Sequence, residues 1–469
     1  MRKFVAVIVA PLVILAGCGG GGSGTTTNPG GGGGGGGGGG TQVIATPGPP
    51  NVEALVVDQG PTALTTSAVN TSFVTVTVCI PSTSTCQTID HIEVDTGSSG
   101  LRILADATTT NPVGSFNLAL PPVLDPNNPS NHLAECLQFA DGFSWGSVNY
   151  ADIRLPVSGK TATNVIVQVI GAVSAGSPST AKPTCLPPPP INANGCLGLE
   201  NTVSCFGANG ILGVGPFVND CDSVGPCVNP GTITNGGVTF PANSAAYFTC
   251  TAAASCALVT SAQQLQNPVT LFAADNNGVI IELPAVVANG LPAPLNGSLV
   301  FGIGTQSNNA LGSATTLPMC NGSGSSCMIG NNPATPLFGT VTATLNGTMY
   351  IQSYLDSGSN ANFFPTTSIP SCSAPNDGFL CPTSTTNVSA TLTGTDGTTA
   401  SANFSVANAD SLFQQNNAMN FAFSNLAGSN YAANVPFPNT TVDLGLSFFY
   451  GHNVFTGFEN NSNGPYFAY

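Results

Sequence analysis

The sequence predicts an all-β protein assembled from many short strands. Three observations carry that expectation. Hydrophobic residues make up 42% of the chain and charged residues only 6%, which gives ample core and little for solvated helix faces. The 57 glycines and 37 prolines, with frequent Ser, Thr and Asn, break the apolar residues into short runs. Within those runs apolar and polar positions tend to alternate, which argues against helical bundles and coiled coils.

Along the chain, Met1-Arg2-Lys3 precedes the apolar run FVAVIVAPLVI and then Leu15-Ala16-Gly17-Cys18. This resembles a bacterial lipoprotein signal, with residues 1–17 removed and Cys18 lipidated. That lipid would hold the protein at a membrane, outside the cytoplasm, facing the periplasm or the cell surface and most simply at the outer membrane. The apolar run is too short for a good spanning helix. Residues 18–50 contain Gly30 to Gly40 as an unbroken glycine run and read as a flexible tether with a reach of about 30 Å.

Strand signals begin at NVEALVV and SFVTVTVCI, where Phe73, Val74, Val76, Val78 and Ile80 mark a β-type face. Pro81 to Thr85 reads as a turn, and HIEVDTGSS as the next strand and its loop. Further strands are expected in CLQFADGFSWGSVNYADIRLPV, TNVIVQVIGAV, NGILGVGPFV, PVTLFAADNNGVIIELP, GSLVFGIGT, GTVTATLNGTMYIQSYLDSGS, NVSATLTG and NTTVDLGLSFFYGHNVFTGFE. The helix candidates are SAQQLQ, residues 261–266, and the segment after Leu446. Two Pro- and Cys-rich stretches, 172–195 and 218–258, read as disulfide-pinned surface insertions. The expected division is an N-terminal lobe at 51–300 and a C-terminal lobe at 301–469.

Setting Cys18 aside from fifteen cysteines leaves an even number, as expected of a chain that leaves the reducing cytoplasm. Close pairs at Cys79/Cys86, Cys221/Cys227, Cys250/Cys256, Cys320/Cys327 and Cys372/Cys381 suit small closed loops. Cys136, Cys185, Cys196 and Cys205 would supply two more bridges. There is no Cys-x-x-Cys, and His91, His132 and His452 do not cluster with cysteines, so neither a zinc site nor another metal is expected. The net charge of −15, with only Arg102, Arg154, Lys160 and Lys182 cationic beyond the signal, excludes nucleic acid as a natural partner. It is compatible with work at acid pH.

Asp95-Thr96-Gly97-Ser98 follows an apolar run, and so does Asp356-Ser357-Gly358-Ser359. One such tetrapeptide is ordinary turn vocabulary, but a second, one per half, is a signal. Apolar-Gly stretches follow each: Gly210-Ile211-Leu212-Gly213-Val214-Gly215 after the first, Val442-Asp443-Leu444-Gly445 after the second, with Leu299-Val300-Phe301-Gly302 between the halves. In this order the landmarks resemble those of the pepsin-like aspartic peptidases over most of residues 70–459.

The resemblance implies a bilobal fold in which Asp95 and Asp356 form a catalytic pair acting on a polypeptide substrate without metal or cofactor, in a monomer. It also implies that Ser98 and Ser359 hold the outer carboxylate oxygens, that Gly97 and Gly358 let backbone N–H groups approach, and that Thr96 and Ser357 tie the loops together. Leu137 to Gly146 would be the flap hairpin, with Phe139 and Gly142 at its tip. The sequence departs from the family there. Phe139 stands where the flap tyrosine is usual, and Arg102 where its tryptophan partner is usual, so both ends of one hydrogen bond are replaced together. Two other readings are open: a pepsin-like fold used as a binding or structural module, and a serine hydrolase built on Gly142-Phe143-Ser144-Trp145-Gly146 with His452. The latter needs a strand–turn–helix elbow, whereas the residues after Ser144 read as a returning strand. Asp275-Asn276-Asn277-Gly278 reads as a hairpin turn, lacking the spaced oxygen ligands of a calcium loop.

Overall fold

A computed structural model describes residues 42–139, 142–171, 199–220, 233–235, 238–240, 245–251, 256–259, 263–320, 339–429 and 441–469. The signal segment, Cys18, the glycine run, Cys185, Cys196, Cys221, Cys227 and Cys327 lie outside the described residues. The protein is mainly β, and among the described residues the helices are only four to six residues long, such as Val203–Phe206, Ala409–Gln414 and Leu446–Phe449.

Six strands of the first half close into a barrel. In ring order they are Phe143–Arg154, Thr161–Ile170, Ser99–Leu104, Gly210–Val214, Cys86–Asp95 and Ser72–Cys79, the last pairing back onto the first. Closure leaves no free sheet edge among these six. The sequence builds it locally: in Ser72–Cys79, Val76 and Val78 are buried while Thr75 and Thr77 between them are half-exposed. The turn at 80–85 is clamped by the disulfide Cys79–Cys86.

From the barrel the sheet continues outward through Val52–Val57, Leu295–Phe301, Gly278–Glu282, Asn453–Gly457, Tyr466–Ala468 and Thr316–Pro318. Strands from both halves of the chain are therefore joined in one sheet, three from the first half followed by three from the second, and the expected lobe boundary near residue 300 falls inside it. The second half has its own seven-stranded sheet, ordered Thr399–Ser401, Ala390–Thr393, Val341–Leu345, Thr348–Leu355, Asp443–Leu444, Asn362–Phe364 and Ala427–Ser429. Its hairpin at Val341–Leu345 and Thr348–Leu355 turns on Asn346 and Gly347, both at positive φ, as a two-residue Asn-Gly turn requires.

Three local expectations need correction. Residues 263–266 of the SAQQLQ segment are not helical: the Leu265 N–H is bound by the Tyr247 hydroxyl, and the Leu265 carbonyl accepts from the Asp220 N–H, so non-local partners win over helix propensity. Part of the second insertion is sheet rather than surface loop, since Ala245–Cys250 pairs with Asn128–Gln138 and buries Tyr247 and Phe248. Residues 42–50, grouped with the tether by composition, are docked: the Gln42 amide donates to the Leu283 and His452 carbonyls, and the Ala45 N–H to Glu282.

Disulfides join Cys79–Cys86, Cys250–Cys256 and Cys372–Cys381, and Cys136, Cys205 and Cys320 are also disulfide-bonded. This oxidised state fits an extracytoplasmic compartment. Among the described residues no helix is long and apolar enough to cross a membrane.

Candidate active site

The two Asp-containing loops are built by the same arrangement of strands. Cys86–Asp95 leads into the first loop and Ser99–Leu104 leaves it, and Gly210–Val214 lies between them, parallel to one and antiparallel to the other. Thr161–Ile170 then runs parallel to the leaving strand. In the second half Thr348–Leu355 enters, Asn362–Phe364 leaves, Asp443–Leu444 lies between, and Ala427–Ser429 runs parallel outside. The registers match. Leu212 faces Val94 and Leu101 as Leu444 faces Leu355 and Asn362, so Gly213 corresponds to Gly445 and Ile211 to Asp443. Both glycines are needed for close approach: a Cβ on Gly213 would lie 2.7 Å from the Ser98 carbonyl carbon, and one on Gly445 2.2 Å from the Ala361 carbonyl oxygen.

The loops meet through reciprocal hydrogen bonds. Thr96 Oγ1 donates to the Leu355 carbonyl at 3.1 Å, and Ser357 Oγ donates to the Val94 carbonyl at 2.8 Å. The Thr96 N–H reaches Ser357 Oγ at 3.1 Å and the Ser357 N–H reaches Thr96 Oγ1 at 2.9 Å. Each carboxylate is held alike. The Gly97 N–H donates to Asp95 Oδ1 at 2.7 Å and Ser98 Oγ to Asp95 Oδ2 at 2.5 Å. The Gly358 N–H donates to Asp356 Oδ1 at 2.9 Å and Ser359 Oγ lies 3.0 Å from Asp356 Oδ2.

Asp95 and Asp356 are fully buried, and their carboxyl groups lie on either side of Gly358. A Cβ placed on Gly358 would lie 2.6 Å from Asp95 Oδ1 and 3.3 Å from Asp356 Oδ1, so the inner oxygens flank a single point. Burial, then the negative charges of Asp95 and Asp443, hold the Asp356 pKa well above the ordinary carboxylate range. Two carboxyls set beside one point and out of water cannot both ionise easily.

The hairpin of Asn128–Gln138 and Phe143–Arg154 is closed at its tip by the Phe139 N–H donating to the Gly142 carbonyl at 2.7 Å. Phe139 is buried and packs edge-on against Phe206, with ring centroids 5.6 Å apart. Residues 140 and 141 lie outside the described residues. A Cβ on Gly142 would fall 2.7 Å from the Glu200 carboxyl carbon, so Glu200 closes over the hairpin tip.

Arg102 has an unforeseen role. Its guanidinium is fully buried and bonds Glu135 Oε1 at 2.7 Å, Asp220 Oδ2 at 3.1 Å and the Ser99 carbonyl at 2.9 Å. Tyr247 donates its hydroxyl to the same Asp220 oxygen at 2.8 Å. Glu135 belongs to the hairpin strand, so this ionic cluster joins the hairpin to the strand leaving the Asp95 loop. Burial, then the charge of Glu135, raises the Asp220 pKa well above normal, which favours a protonated Asp220 beside the Arg102–Glu135 pair.

Asp443 was also passed over, although V-D-L-G set against I-L-G displayed a charged residue at an apolar position. The rival constellations are not assembled. Ser144 lies within a strand and bonds Gln168 at 3.2 Å, and His452 Nδ1 bonds the Phe448 carbonyl while its ring stacks on Phe448. The Asp275 carboxylate is engaged by Lys160 at 2.6 Å and by Thr305 and Gln306.

Residues 47–469 match a family described as "Protein of unknown function (DUF3443)". The chain belongs to that family. Among curated proteins nothing matches it. In this DUF3443 member the matched region spans both Asp loops, both threaded strands and the hairpin.

Proposed function

We propose that the protein is an aspartic endopeptidase of pepsin-like, bilobal fold, hydrolysing peptide bonds with Asp95 and Asp356. The observation that carries this reading is the meeting of two like-built Asp-Thr/Ser-Gly-Ser loops, joined through Thr96 and Ser357, with their buried carboxyls flanking Gly358. With one shared proton, the ionised member takes a proton from a water molecule as that water attacks the peptide carbonyl. The protonated member gives its proton to the carbonyl oxygen. As the tetrahedral intermediate collapses, the member that took the water proton passes it to the leaving nitrogen, and the other recovers its proton from a hydroxyl of the intermediate. Gly97 and Gly358 N–H groups with Ser98 and Ser359 fix the carboxylates for this chemistry. Phe139 contributes an apolar wall to the hairpin, and the Arg102–Glu135 pair anchors the hairpin's base. The proposal includes anchoring through lipid on Cys18, with a polypeptide as the substrate and no metal or cofactor.

Digestion of a denatured protein by the domain lacking residues 1–41, across pH 3 to 7, tests the reading. Cleavage should be strongest at acid pH, blocked by a pepstatin-like inhibitor and lost in Asp95→Asn and Asp356→Asn. The complete burial of both carboxylates favours a second reading, a binding or structural module in which the pair never meets substrate. Absence of cleavage and of inhibitor binding by folded protein would decide for it.

A further inference from the structure

On the strands threaded behind two loops of matching build, one buried position carries a carboxyl group in the second half where the first half has an apolar side chain. Ile211 on the strand threaded behind the first loop faces Glu93 and Arg102, and Asp443 behind the second faces Tyr354 and Phe363. Asp443 is 3% exposed, and its Oδ2 lies 2.6 Å from Ser359 Oγ. The same Ser359 oxygen lies 3.0 Å from Asp356 Oδ2. A serine hydroxyl owns one proton and can donate to one of these oxygens at a time. The contacts are therefore both satisfied only when one of the two carboxyls is itself protonated and donates to Ser359.

We propose that Asp443 is a positioning residue that holds a proton in reserve for Asp356, exchanging it through the Ser359 hydroxyl. The proposal rests on the peptidase reading. In one state Asp443 is neutral and donates to Ser359 Oγ, and Ser359 donates to Asp356 Oδ2. In the other, the Asp443 proton has moved to Ser359 Oγ and the former Ser359 proton to Asp356 Oδ2. Two O–H bonds break, two form, and one negative charge moves from Asp356 to Asp443. The second state places an anion on Asp443, whose Oδ1 is buried without a hydrogen-bond partner, so that state is costly and the proton tends to return.

The groups that face this chain agree with it. Asp95 lies across the dyad, and Tyr354 is on the strand paired with Asp443, while the strand on its other side, Asn362–Phe364, carries no ionisable side chain. Burial, then the charges of Asp443, Asp356 and Asp95, pushes the Tyr354 phenol up, so it is neutral and offers no counter-charge. Burial likewise raises the Asp443 pKa to about 7, so the reserve is loaded throughout the acid range.

The test compares the pH profile of kcat/KM for the wild type, Asp443→Asn and Asp443→Ile, the last copying the first repeat. Without the reserve, Asp356 loses its proton at lower pH, so the alkaline limb should move down by about one pH unit while cleavage persists on the acid side. A purely structural role would lower the rate without moving the limb, and an unmoved limb in an active variant overturns the proposal. Infrared difference spectra at pH 6 should also show that Asp443→Ile loses one group's worth of protonated-carboxyl absorption relative to wild type, over and above what Asp220 and the dyad contribute to both. Unchanged absorption overturns the proposal. If neither substitution folds, part of the wild-type protonated-carboxyl absorption must still fade on raising the pH through about 7, and absorption that stays constant across that range overturns the proposal. Should wild type fail to cleave any substrate, the peptidase reading falls, while the infrared comparison still decides whether Asp443 holds the proton.

Discussion

Arg102 shows how one side chain can be both the most buried cation among the described residues and a fastener between two elements. Its charge is opposed by burial and retained by Glu135 and Asp220. Substitution by Leu leaves the Glu135 carboxylate buried without its partner, so Arg102→Leu should destabilise the protein by about 3–5 kcal/mol in urea unfolding. A loss below about 1 kcal/mol would mean that the cluster relaxes by taking up a proton. A second residue gives a pH signature with the opposite setting. Burial opposes the charging of His91, but a hydrogen bond to Asp58 and the nearby Asp90 carboxylate outweigh it and raise its pKa to about 9. A raised folded-state pKa stabilises most when the imidazole would be charged in both states, below about 6.5, and that contribution fades as pH rises through about 9. Stability should therefore fall between about pH 6.5 and pH 9 in wild type, and the slope should flatten in His91→Gln. Part of this depends on the half-exposed Asp90 and should weaken with salt. Neither role was legible in the sequence. Arg102 read as a missing tryptophan and His91 as a lone histidine, because their partners Glu135, Asp220 and Asp58 are distant in the chain.

At the scale of elements, the site depends on strands threaded so closely behind the Asp loops that a methyl group does not fit. A Cβ on Gly213 would press on the Ser98 carbonyl carbon and the Ser99 nitrogen, both at 2.7 Å and both backbone. Backbone cannot swing away as a side-chain end can. Gly213→Ala is therefore expected to cost about 3 kcal/mol and to shift Ser98 off Asp95, removing cleavage together with stability. Full activity with unchanged unfolding would contradict the close approach. These strands were readable in advance because the sequence marks them twice, as an apolar run ending in Asp-Thr/Ser-Gly-Ser and as a later apolar-Gly stretch. The strand Ala245–Cys250 was not. Its pairing with Asn128–Gln138 and the burial of Tyr247 are long-range effects, and its Cys-rich surroundings resemble loop composition. The segment at 263–266 failed for the same reason, its backbone groups being claimed by Tyr247 and Asp220. Local periodicity revealed the strands that carry the Asp loops, and partner choice hid the rest.

For the whole molecule, the shared sheet decides how the halves depend on each other. Gly278–Glu282 pairs on one side with Leu295–Phe301 and on the other with Asn453–Gly457, so strands separated widely in sequence form one layer. Asn70 adds a second tie: its amide donates to the Asn360 and Phe423 carbonyls and to Ser447, and its oxygen accepts from the Phe423 N–H and the Tyr450 hydroxyl. Asn360 directly follows the Ser359 that holds Asp356, so the first half helps to shape the second loop. A chain joined in this way should unfold as one cooperative unit rather than lobe by lobe. The single tryptophan makes this measurable, because Trp145 lies buried on the hairpin strand of the first half, against Phe248. Phe455, in a C-terminal strand of the shared sheet, is 4% exposed, and Phe455→Ala should cost about 3–5 kcal/mol. With disulfides intact, the Trp145 fluorescence transition and the far-ultraviolet circular dichroism transition should coincide in wild type, and both should move by the same amount in Phe455→Ala. A Trp145 transition that stays in place while the dichroism transition moves would show that the halves fold independently and that the Asp95 loop does not need the second half for its stability.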